Sequence, residues 1–329
     1  MDISIIIVNT NTRDDLRNCL RSVFKSLERS RLDFEIFIVD NNSSDGSQEM
    51  IKKEFSSVIL IENQENLGFA KANNQAIRIA KGHHVLLLNP DTIVIPKSLD
   101  LMIEFMEKNQ KVGALGPKLI DINGAVQPSA GRADTVFTVL LRFCTPRSFT
   151  GKIKKILAKN NFRNFRKLLG SQVDSYFSFF DIETPVEIDL ISGACLLVRK
   201  ETIEQVGLLD EKFFLYSDDA DLCFRIKKKG WKIIYFPTVK IIHYGGKTTG
   251  GDFKPFPLCR GAESEYYYFK KHYNKMTGFI VKLLLLFALT VRAPWFLYHH
   301  LVFKKRNKSS NLWKIYHSTL TKIITGKTL

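Results

Sequence analysis

The sequence predicts an α/β protein with a mostly parallel sheet flanked by helices. Strand and helix patterns alternate along the first third of the chain, and the connections between them are short. Several strand runs are apolar at every position, which is typical of strands buried on both faces. Alternation of this kind indicates βαβ units, in which successive strands lie parallel and helices cover the sheet.

The predicted elements follow one another in a regular order. Strands are expected at Ser4–Asn9, Phe34–Asp40, Val58–Asn63 and His84–Asp91. Helices are expected at about Asp14–Leu27, from the turn NNSSDGS to Phe55, at Gly68–Lys81 and at Ser98–Lys108. Gly82 is expected to close the third helix, and the alternation ends near Gly116.

The rest of the chain contains an insertion, a return to the sheet and a helical tail. Residues 130–183 are irregular, basic and aromatic, and their stretch Lys152–Leu169 is either a membrane or acceptor contact or a solvated surface helix. Order returns with VEIDLISGACLLVRK, where a glycine inside a strand indicates close approach of backbone or ligand. We therefore assign residues 1–255 to one domain with a basic insertion, and 256–329 to a helical, basic C-terminal region.

The formal charge of +16 is unevenly distributed. Residues 135–173 contain nine Lys and Arg and no acid, and residues 266–329 contain twelve and no acid. The two zones together carry +21, so the remainder of the chain carries −5. This distribution suggests an anionic partner that touches the basic zones only. Five scattered cysteines without a CxxC spacing favour a reducing, cytoplasmic compartment.

A hydrophobic segment near the C-terminus, Leu283–Phe303, is long enough to cross a bilayer. It is interrupted by Arg292 and Pro294, and its uninterrupted apolar run, Leu283–Val291, is too short to span. The aromatic residues that follow and the sequence KKRNK fit an anchor lying in the interface of an anionic leaflet. The alternative is a core helix followed by a basic tail.

Polar residues stand at the ends of three predicted strands, at Asn9–Asn11, Asp40–Asn42 and Asn89–Asp91. In open parallel sheets, ligands bind beyond the carboxyl ends of the strands. The sequence therefore predicts a binding site at this edge of the sheet.

Three aspartates lie in four consecutive positions at the start of a predicted helix, in FLYSDDADLCFRIKKKG. Ser217 is expected to be the N-cap, three lysines fall in the last turn, and Gly230 closes the helix. This arrangement alone is explained by the helix dipole, which favours acids near the first turn and cations near the last.

Helical spacing separates the three aspartates. Apolar residues follow Asp219 by three, four and seven positions, so Asp219 is expected on the buried face, with a pKa raised by desolvation and like charge. Such a carboxylate suits a general base, and a buried cap bonded to backbone is the alternative. Asp221 is expected to pair with Arg225 and Lys228, and Asp218 to lie at the edge of the buried face.

Three further residues have two interpretations each. Asp91 ends a buried strand and is either a turn residue or a metal ligand. Asp40 is either a turn residue or a hydrogen-bond acceptor for a nucleobase. His243 is either structural or, with the donor-rich GGKTT after it, part of a phosphate site. If a diphosphate is held there, Mg²⁺ or Mn²⁺ is the expected cation.

In their order along the chain, seven motifs resemble family 2 glycosyltransferases, which are inverting nucleotide-sugar enzymes with a Rossmann-like GT-A fold. The motifs are SIIIVNTN, VDNNSSDGS, NLGFAKANN, LLLNPDT, DLISGACLLVRK, GLLDEKFFLYSDDADLCFR and HYGGKTT. They cover about residues 3–250, and ESEYYYFKKHYN extends the resemblance to the rhamnosyltransferase-like branch that builds surface polysaccharides.

The resemblance implies a role for each candidate residue. Asp219 corresponds to the catalytic base, Asp91 to the metal-binding end of the Asp-x-Asp motif, and His243 to a second metal or diphosphate position. Lys247 or Thr248 is expected to help neutralise the diphosphate. The residues that would hold the nucleoside are Asn11, Asp40, Asn66, Gly68 and Asn73. Those that would line the acceptor or sugar pocket are Gly193, Ala194 and Asp218.

Two positions depart from the family pattern. The usual Asp-x-Asp is Asn89-Pro90-Asp91 here, which leaves one carboxylate for the metal. The usual Glu-Asp before the helix is Asp218-Asp219, one methylene shorter at its first member.

The resemblance implies transfer of a sugar, with rhamnose the first candidate, from a nucleoside diphosphate to a saccharide or a polyprenyl-linked saccharide. It also implies a peripheral location on the inner face of the cell membrane. A nucleic-acid-binding protein is the first rival, on the charge of +16, but the basic zones contain no recognition motif. A nucleotidyltransferase on a similar sheet is the second rival, and an inactive sugar-binding scaffold is the third.

Overall fold

The computed structural model describes residues 1–140, 143, 182–245, 255–303 and 310–326. Its residues divide by contact into two compact units. The first unit takes in the described residues of Met1–Ala133, Phe179–Phe214 and Asp218–Thr248. The second takes in those of Asp134–Ser178, Leu215–Ser217 and Thr249–Leu329. Most of the predicted insertion at 130–183, including the stretch Lys152–Leu169, lies outside the described residues.

Nine of the eleven described strands form the main sheet of the first unit. Its four parallel strands come first in the chain: β1 (Ile3–Asn9), β2 (Phe34–Asn41), β3 (Ile59–Asn63) and β4 (His84–Leu88). The other strands are β5 (Thr92–Val94), β6 (Val112–Ile120), β7 (Ala130–Gly131), β8 (Val186–Glu187), β9 (Leu190–Ile191), β10 (Cys195–Arg199) and β11 (Lys232–His243). Of these, β7 and β9 pair in a separate two-stranded sheet. The mostly parallel α/β fold predicted from the sequence is confirmed.

The order across the main sheet is β3-β2-β1-β4-β10-β6-β11-β5, with β8 beside β11. Strand β10 lies antiparallel between β4 and β6, while β6 and β11 are parallel to each other. The expected alternation ends later than predicted, because β6 continues through Gly116 to Ile120. Gly116 serves packing there, since a Cβ at this position would lie 2.3 Å from the side chain of Ile191.

Helices pack on both faces of this sheet. They are α1 (Arg13–Leu27), α2 (Ser47–Glu54), α3 (Phe69–Ile77), α4 (Ser98–Lys108), α6 (Lys200–Val206) and α7 (Asp218–Lys228). A short helix, α5 (Val136–Val139), belongs to the second unit and is not one of them. Alternate residues of β1 face two separate cores: Ile5 and Ile7 pack with α1, and Ile6 packs with α3. The continuous apolar pattern of the strand follows from this two-sided burial.

One helix end was predicted wrongly. The helix α3 ends at Ile77 rather than at Lys81. Gly82 does not act as a left-handed cap, because its φ is not positive. It is needed for close packing instead, since a Cβ there would lie 2.5 Å from the backbone nitrogen of Ser4 on β1. Gly230, by contrast, has a φ of 96° and closes α7 as predicted.

The second unit is helical in its described part. It contains α8 (Pro255–His272), α9 (Lys275–Phe303) and α10 (Ser310–Thr325), each of which packs against the other two. Its core includes Val281, Leu285, Tyr316 and Ile323, all 3% exposed or less. Among the described helices, the segment Lys275–Pro294 is long and apolar enough to cross a bilayer, with a mean hydropathy of 1.8. Spanning helices and the core helices of soluble proteins share this length and hydropathy.

Replacing Gly82 by alanine should destabilise the first unit by about 1–3 kcal/mol, because the added methyl group overlaps the backbone of β1. The matched control is Gly278→Ala in α9, where the nearest atom to a new Cβ is 3.8 Å away. That variant should be neutral or gain about 0.5–1 kcal/mol. Urea unfolding of the two variants measures the difference, and equal stabilities would contradict the packing explanation of Gly82.

Candidate active site

Strand pairing at one edge of the sheet brings Asp91 and His243 together. Strand β5 begins one residue after Asp91 and pairs antiparallel with β11, so that Thr92 lies opposite His243. The backbone N–H of Tyr244 also donates to the carbonyl of Asp91 at 2.9 Å. As a result, Nε2 of His243 lies 3.4 Å from Oδ1 of Asp91. These two residues are 152 positions apart in the sequence.

A glutamine fixes the orientation of the His243 ring. Nε2 of Gln127 donates to the carbonyl oxygen of His243 at 2.8 Å, which places Oε1 of Gln127 2.8 Å from Nδ1 of His243. Because an amide oxygen only accepts hydrogen bonds, Nδ1 must be the donor. In the neutral ring Nε2 therefore carries no proton, and its lone pair faces Asp91.

The Asp91 carboxylate fits a divalent cation. It is 1% exposed, and neither of its oxygens has a hydrogen-bond partner among the residues that the structure describes. A buried carboxylate is normally paired or bound to a metal, because desolvation of an unpaired charge is costly. One carboxylate and one imidazole nitrogen are ligands that Mn²⁺ accepts, and Mg²⁺ commonly takes one or two carboxylates with substrate phosphates. No cluster of three or more candidate ligands occurs in the described part of the chain.

The start of β10 joins this pair to the aspartate helix. The N–H of Asn89, just after β4, donates to the carbonyl of Ala194 at 3.0 Å. The neighbouring N–H of Gly193 donates to Oδ2 of Asp219 at 2.9 Å, and that of Ala220 to Oδ1 at 2.8 Å. The Asp219 carboxylate is thus held in one orientation at the sheet edge that carries Asp91.

Gly193 lies between two side chains. A Cβ at this position would be 3.4 Å from the ring of Phe69 and 3.7 Å from Cβ of Asp219, which are ordinary van der Waals distances. The close approach of backbone or ligand predicted for this glycine therefore stays a prediction.

The three aspartates of α7 have different environments. Asp221 is fully buried and accepts a hydrogen bond from Nε of Arg225 at 2.9 Å, as predicted. Asp219 is half-buried, less deeply than the buried face predicted for it. Asp218 is 4% exposed, and its Oδ2 has no hydrogen-bond partner among the described residues. Burial, together with the charge of Asp219, raises the pKa of Asp218 to about 8.

The prediction that Asp218 lies at the edge of the buried face is wrong. The helix begins at Asp218. The two residues before it have positive φ angles, 69° for Tyr216 and 60° for Ser217. Ser217 therefore lacks the extended backbone typical of an N-cap. The prediction from helical spacing assumed regular helical geometry at the first residue of the helix. Asp218 is buried more deeply in the structure than this spacing predicts.

The predicted nucleoside residues form a second group, around the ends of β1 and β2. Asp40 is fully buried and accepts hydrogen bonds from Asn9, Ser43 and Gln48, with both its oxygens occupied. These bonds favour the turn role of Asp40 over contact with a nucleobase. Oδ1 of Asn11 accepts from the N–H of Ser44 at 2.7 Å, which ties the two loops together.

The loop before α3 contains the other nucleoside candidates. Oδ1 of the exposed Asn66 accepts from the N–H of Gly68 at 2.9 Å. Gly68 has a φ of 80°, and a Cβ there would lie 2.5 Å from the carbonyl oxygen of Phe214. The structure therefore places this loop beside the segment that leads to α7. Asn73 is buried and donates to the carbonyl of Phe69 within α3, which is a structural contact.

The structure brings Asp91, His243, Asp219 and Gly193 to one edge and leaves two predicted residues undescribed. Lys247 and Thr248 lie outside the described residues. Gln127 was missed by sequence reasoning. It stands in a polar loop segment, INGAVQPS, and neither its spacing nor its neighbours indicate that it contacts a histidine 116 residues away.

Family models and known relatives match large parts of this chain. Residues 4–205 match a family model described as glycosyl transferase family 2, and residues 174–255 match one described as glycosyltransferase like family 2. A similar protein of Mycobacterium tuberculosis is N-acetylglucosaminyl-diphospho-decaprenol L-rhamnosyltransferase. It is 29% identical over 259 residues, which are 75% of this chain and 78% of the relative.

Two solved structures share the fold. One is the mannosyltransferase PcManGT from Pyrobaculum calidifontis in complex with GDP-Man and Mn²⁺, with a TM-score of 0.54 and 16% identity over 98% of this chain and 84% of that chain. The other is GalNAc-T7 with UDP, GalNAc and Mn²⁺, with a TM-score of 0.56 and 14% identity over 99% of this chain and 56% of that chain. At these identities the likeness concerns the fold, and it confirms the predicted GT-A architecture.

Replacing Gln127 by leucine should release the His243 ring and weaken Mn²⁺ binding about 10- to 100-fold, as loss of a partner that orients a metal ligand usually does. The direct readout is the ¹⁵N spectrum of the metal-free protein, in which His243 should change from one neutral tautomer to a mixture. Gln110→Leu, at an exposed glutamine after α4, is the control. An unchanged His243 tautomer in Gln127→Leu would contradict the positioning role.

Replacing Asp218 by asparagine should change how stability depends on pH. The folded pKa of Asp218 lies above the ordinary value of 3.8, so the folded protein holds more protons than the unfolded chain between these values. Its free energy of unfolding therefore falls as the pH rises towards about 8, by at most about 1.4 kcal/mol per pH unit.

The Asp218→Asn variant lacks this loss, so it should gain stability relative to the parent as the pH rises from about 5.5 to about 7.5. Thermal and urea unfolding at both pH values measure the difference. Asp33→Asn, at a carboxylate whose side chain is 67% exposed, is the control. A stability difference independent of pH would show that Asp218 does not hold its proton.

Proposed function

This chain belongs to glycosyl transferase family 2, and from that premise we propose that it transfers a sugar, with inversion, from a nucleoside diphosphate to a hydroxyl group of a saccharide acceptor. It is a glycosyltransferase of the hexosyltransferase type with a GT-A fold. The observation that carries the proposal is that Asp219 and Asp91 lie at one edge of the sheet, joined through Gly193, Ala194 and Asn89. The Asp91 carboxylate accepts no hydrogen bond from the residues that the structure describes.

Asp219 is the proposed general base. Its carboxylate takes the proton of the acceptor hydroxyl while the hydroxyl oxygen forms a bond to the anomeric carbon of the donor sugar. The bond from that carbon to the diphosphate oxygen breaks with its electron pair going to the diphosphate, and attack from the opposite face inverts the configuration. The N–H groups of Gly193 and Ala220 hold the base in place for this transfer.

Asp218 supports this division of labour. With a pKa of about 8 it carries a proton at neutral pH. Because Asp218 is then neutral, Asp219 has no like charge beside it. The protonated carboxyl group of Asp218 is also able to donate a hydrogen bond to the acceptor. Two adjacent carboxyl groups in different protonation states are a common arrangement in acid–base sites.

Asp91 and His243 would hold a divalent cation, Mg²⁺ or Mn²⁺. When bound, such a cation neutralises charge that develops on the leaving diphosphate. The two residues are suited to it because the Asp91 carboxylate accepts no hydrogen bond from the described residues, and because Nε2 of His243 carries no proton in the neutral ring. Lys247 and Thr248, just beyond His243 in the sequence, are proposed as further contacts of the diphosphate.

The substrates are proposed by similarity and by charge. Rhamnose on a deoxythymidine diphosphate is the first donor to test, because the mycobacterial relative is named as a rhamnosyltransferase. The acceptor proposed is a saccharide linked to a polyprenyl diphosphate, as part of surface polysaccharide synthesis. Such an acceptor would place the enzyme at the cytoplasmic face of the membrane, where its two basic zones meet anionic lipid.

Calorimetric titration with UDP, dTDP and GDP, each with and without Mn²⁺, tests this proposal. One nucleotide should bind more tightly than the others, and its affinity should depend on the metal. Asp91→Asn should lose the metal-dependent part of that affinity, because it removes the carboxylate ligand. Asp219→Asn should bind nucleotide normally and lose about 10²- to 10⁴-fold in transfer rate, because it removes the base.

The control is Asp33→Asn, at the opposite end of β2 from Asp40, which should change neither quantity. Absence of binding to all three nucleotides by the folded protein would contradict the proposal. Retention of RNA or DNA that depends strongly on salt would instead favour the nucleic-acid-binding rival. Near-normal transfer by Asp219→Asn would show that another group is the base.

A further inference from the structure

The helix α9 has an apolar outer face. Between residues 276 and 291 every exposed side chain is apolar except Thr290. The six apolar side chains are 41–71% exposed and form what we call the outer stripe: Met276, Phe279, Ile280, Leu283, Phe287 and Val291. Their helical spacing places them on one side of the helix, over about 22 Å. Exposed apolar surface of this extent marks an interaction site.

The opposite face of α9 is packed inside the second unit. Val281, Leu285 and Leu289 are 1% exposed or less. The phenol of Tyr316 donates to the carbonyl of Leu289 at 3.3 Å, and Nζ of Lys282 donates to the carbonyl of Ile324 at 2.7 Å. The partner positions run in opposite directions along the two helices, so α10 lies antiparallel along the inner side of α9.

This packing decides between a helix that spans a bilayer and one that lies on it. Oε1 of Glu263 on α8 accepts from Thr319 on α10 at 2.5 Å, and its Oε2 pairs with Lys322 at 3.3 Å and with Arg260 at 3.0 Å. A spanning α9 would carry α10 and these ion pairs into the hydrocarbon, where charged groups are strongly disfavoured. The outer stripe enters the interface without moving them.

The charge of this region identifies the partner. Residues 266–329 contain twelve Lys and Arg and no acid, so their electrostatic complement is an anionic surface. A second copy of the same face would bring two regions of like charge together. An amphipathic helix with an apolar face in a basic segment is typical of attachment to anionic membranes.

We propose that the outer stripe of α9 is a docking surface for an anionic lipid bilayer, with α9 lying in the plane of the interface. This docking surface specifies how the chain contacts the membrane, and the inference rests on the proposed function, which requires access to a membrane-linked acceptor. It places the second unit on the membrane through one helix face, and it leaves the partly buried ion pairs of α8 and α10 in protein.

Vesicle co-sedimentation of the full chain tests the docking surface. Vesicles of phosphatidylcholine alone and of phosphatidylcholine with phosphatidylglycerol serve as the two surfaces. The parent protein should prefer the anionic vesicles, and Phe279→Glu with Phe287→Glu should lower that binding at least tenfold. The matched control is Ile79→Glu with Leu101→Glu, which places the same charges at side chains 53% and 40% exposed, the first lying two residues after the end of α3 and the second on α4. This control should bind as the parent does.

Three results would overturn the proposal. Equal losses in the two double variants would remove the stripe as the binding surface. Resistance of the membrane-bound protein to extraction at alkaline pH would show a spanning helix. A change from dimer to monomer in the stripe variant, seen by sedimentation velocity, would assign the stripe to a second copy of the chain. Nucleotide binding by the stripe variant should equal that of the parent, so its loss would be a failure of the site and not of the docking surface.

Discussion

The antiparallel insertion of β10 between β4 and β6 is the constraint on which the candidate site depends. Because β10 runs against its neighbours, its beginning lies at the edge where β4 ends. The backbone of Gly193 and Ala194 therefore lies beside Asn89, and the N–H of Gly193 donates a hydrogen bond to Asp219. A parallel β10 would bring its carboxyl end to this edge instead. One reversal of strand direction thus links the aspartate helix to the residues that would hold a metal.

How much of this was visible in the sequence depends on the range of each interaction. The parallel strands and the Asp221–Arg225 pair were predicted because both follow from local periodicity. The contact of Gln127 with His243 was not, since it joins residues 116 positions apart and requires the strand order. Gly82 was misassigned because a glycine that avoids a steric overlap and one that adopts a positive φ look alike in sequence.

The three aspartates of α7 show why residue type alone does not assign a role. All three gain from the positive end of the helix dipole, yet each has a different environment. Asp221 forms an ion pair with Arg225, and Asp219 accepts hydrogen bonds from two backbone N–H groups. Asp218 is buried beside Asp219, and this environment raises its pKa and favours the protonated form. The differences arise from the backbone that precedes the helix and from β10, neither of which enters a helical wheel.

The buried carboxyl groups that lack hydrogen bonds also indicate where function lies. Asp91 and Asp218 each leave at least one buried oxygen unsatisfied among the described residues, whereas the equally buried Asp40 is bonded on both oxygens. A buried carboxyl group without hydrogen bonds lowers the free energy of unfolding, and the packing of the surrounding sheet must offset this loss. Proteins keep such costs mainly at functional sites. By this criterion the hydrogen bonds of Asp40 favour a structural role, whereas Asp91 and Asp218 remain the groups that we propose to contact a cation and an acceptor.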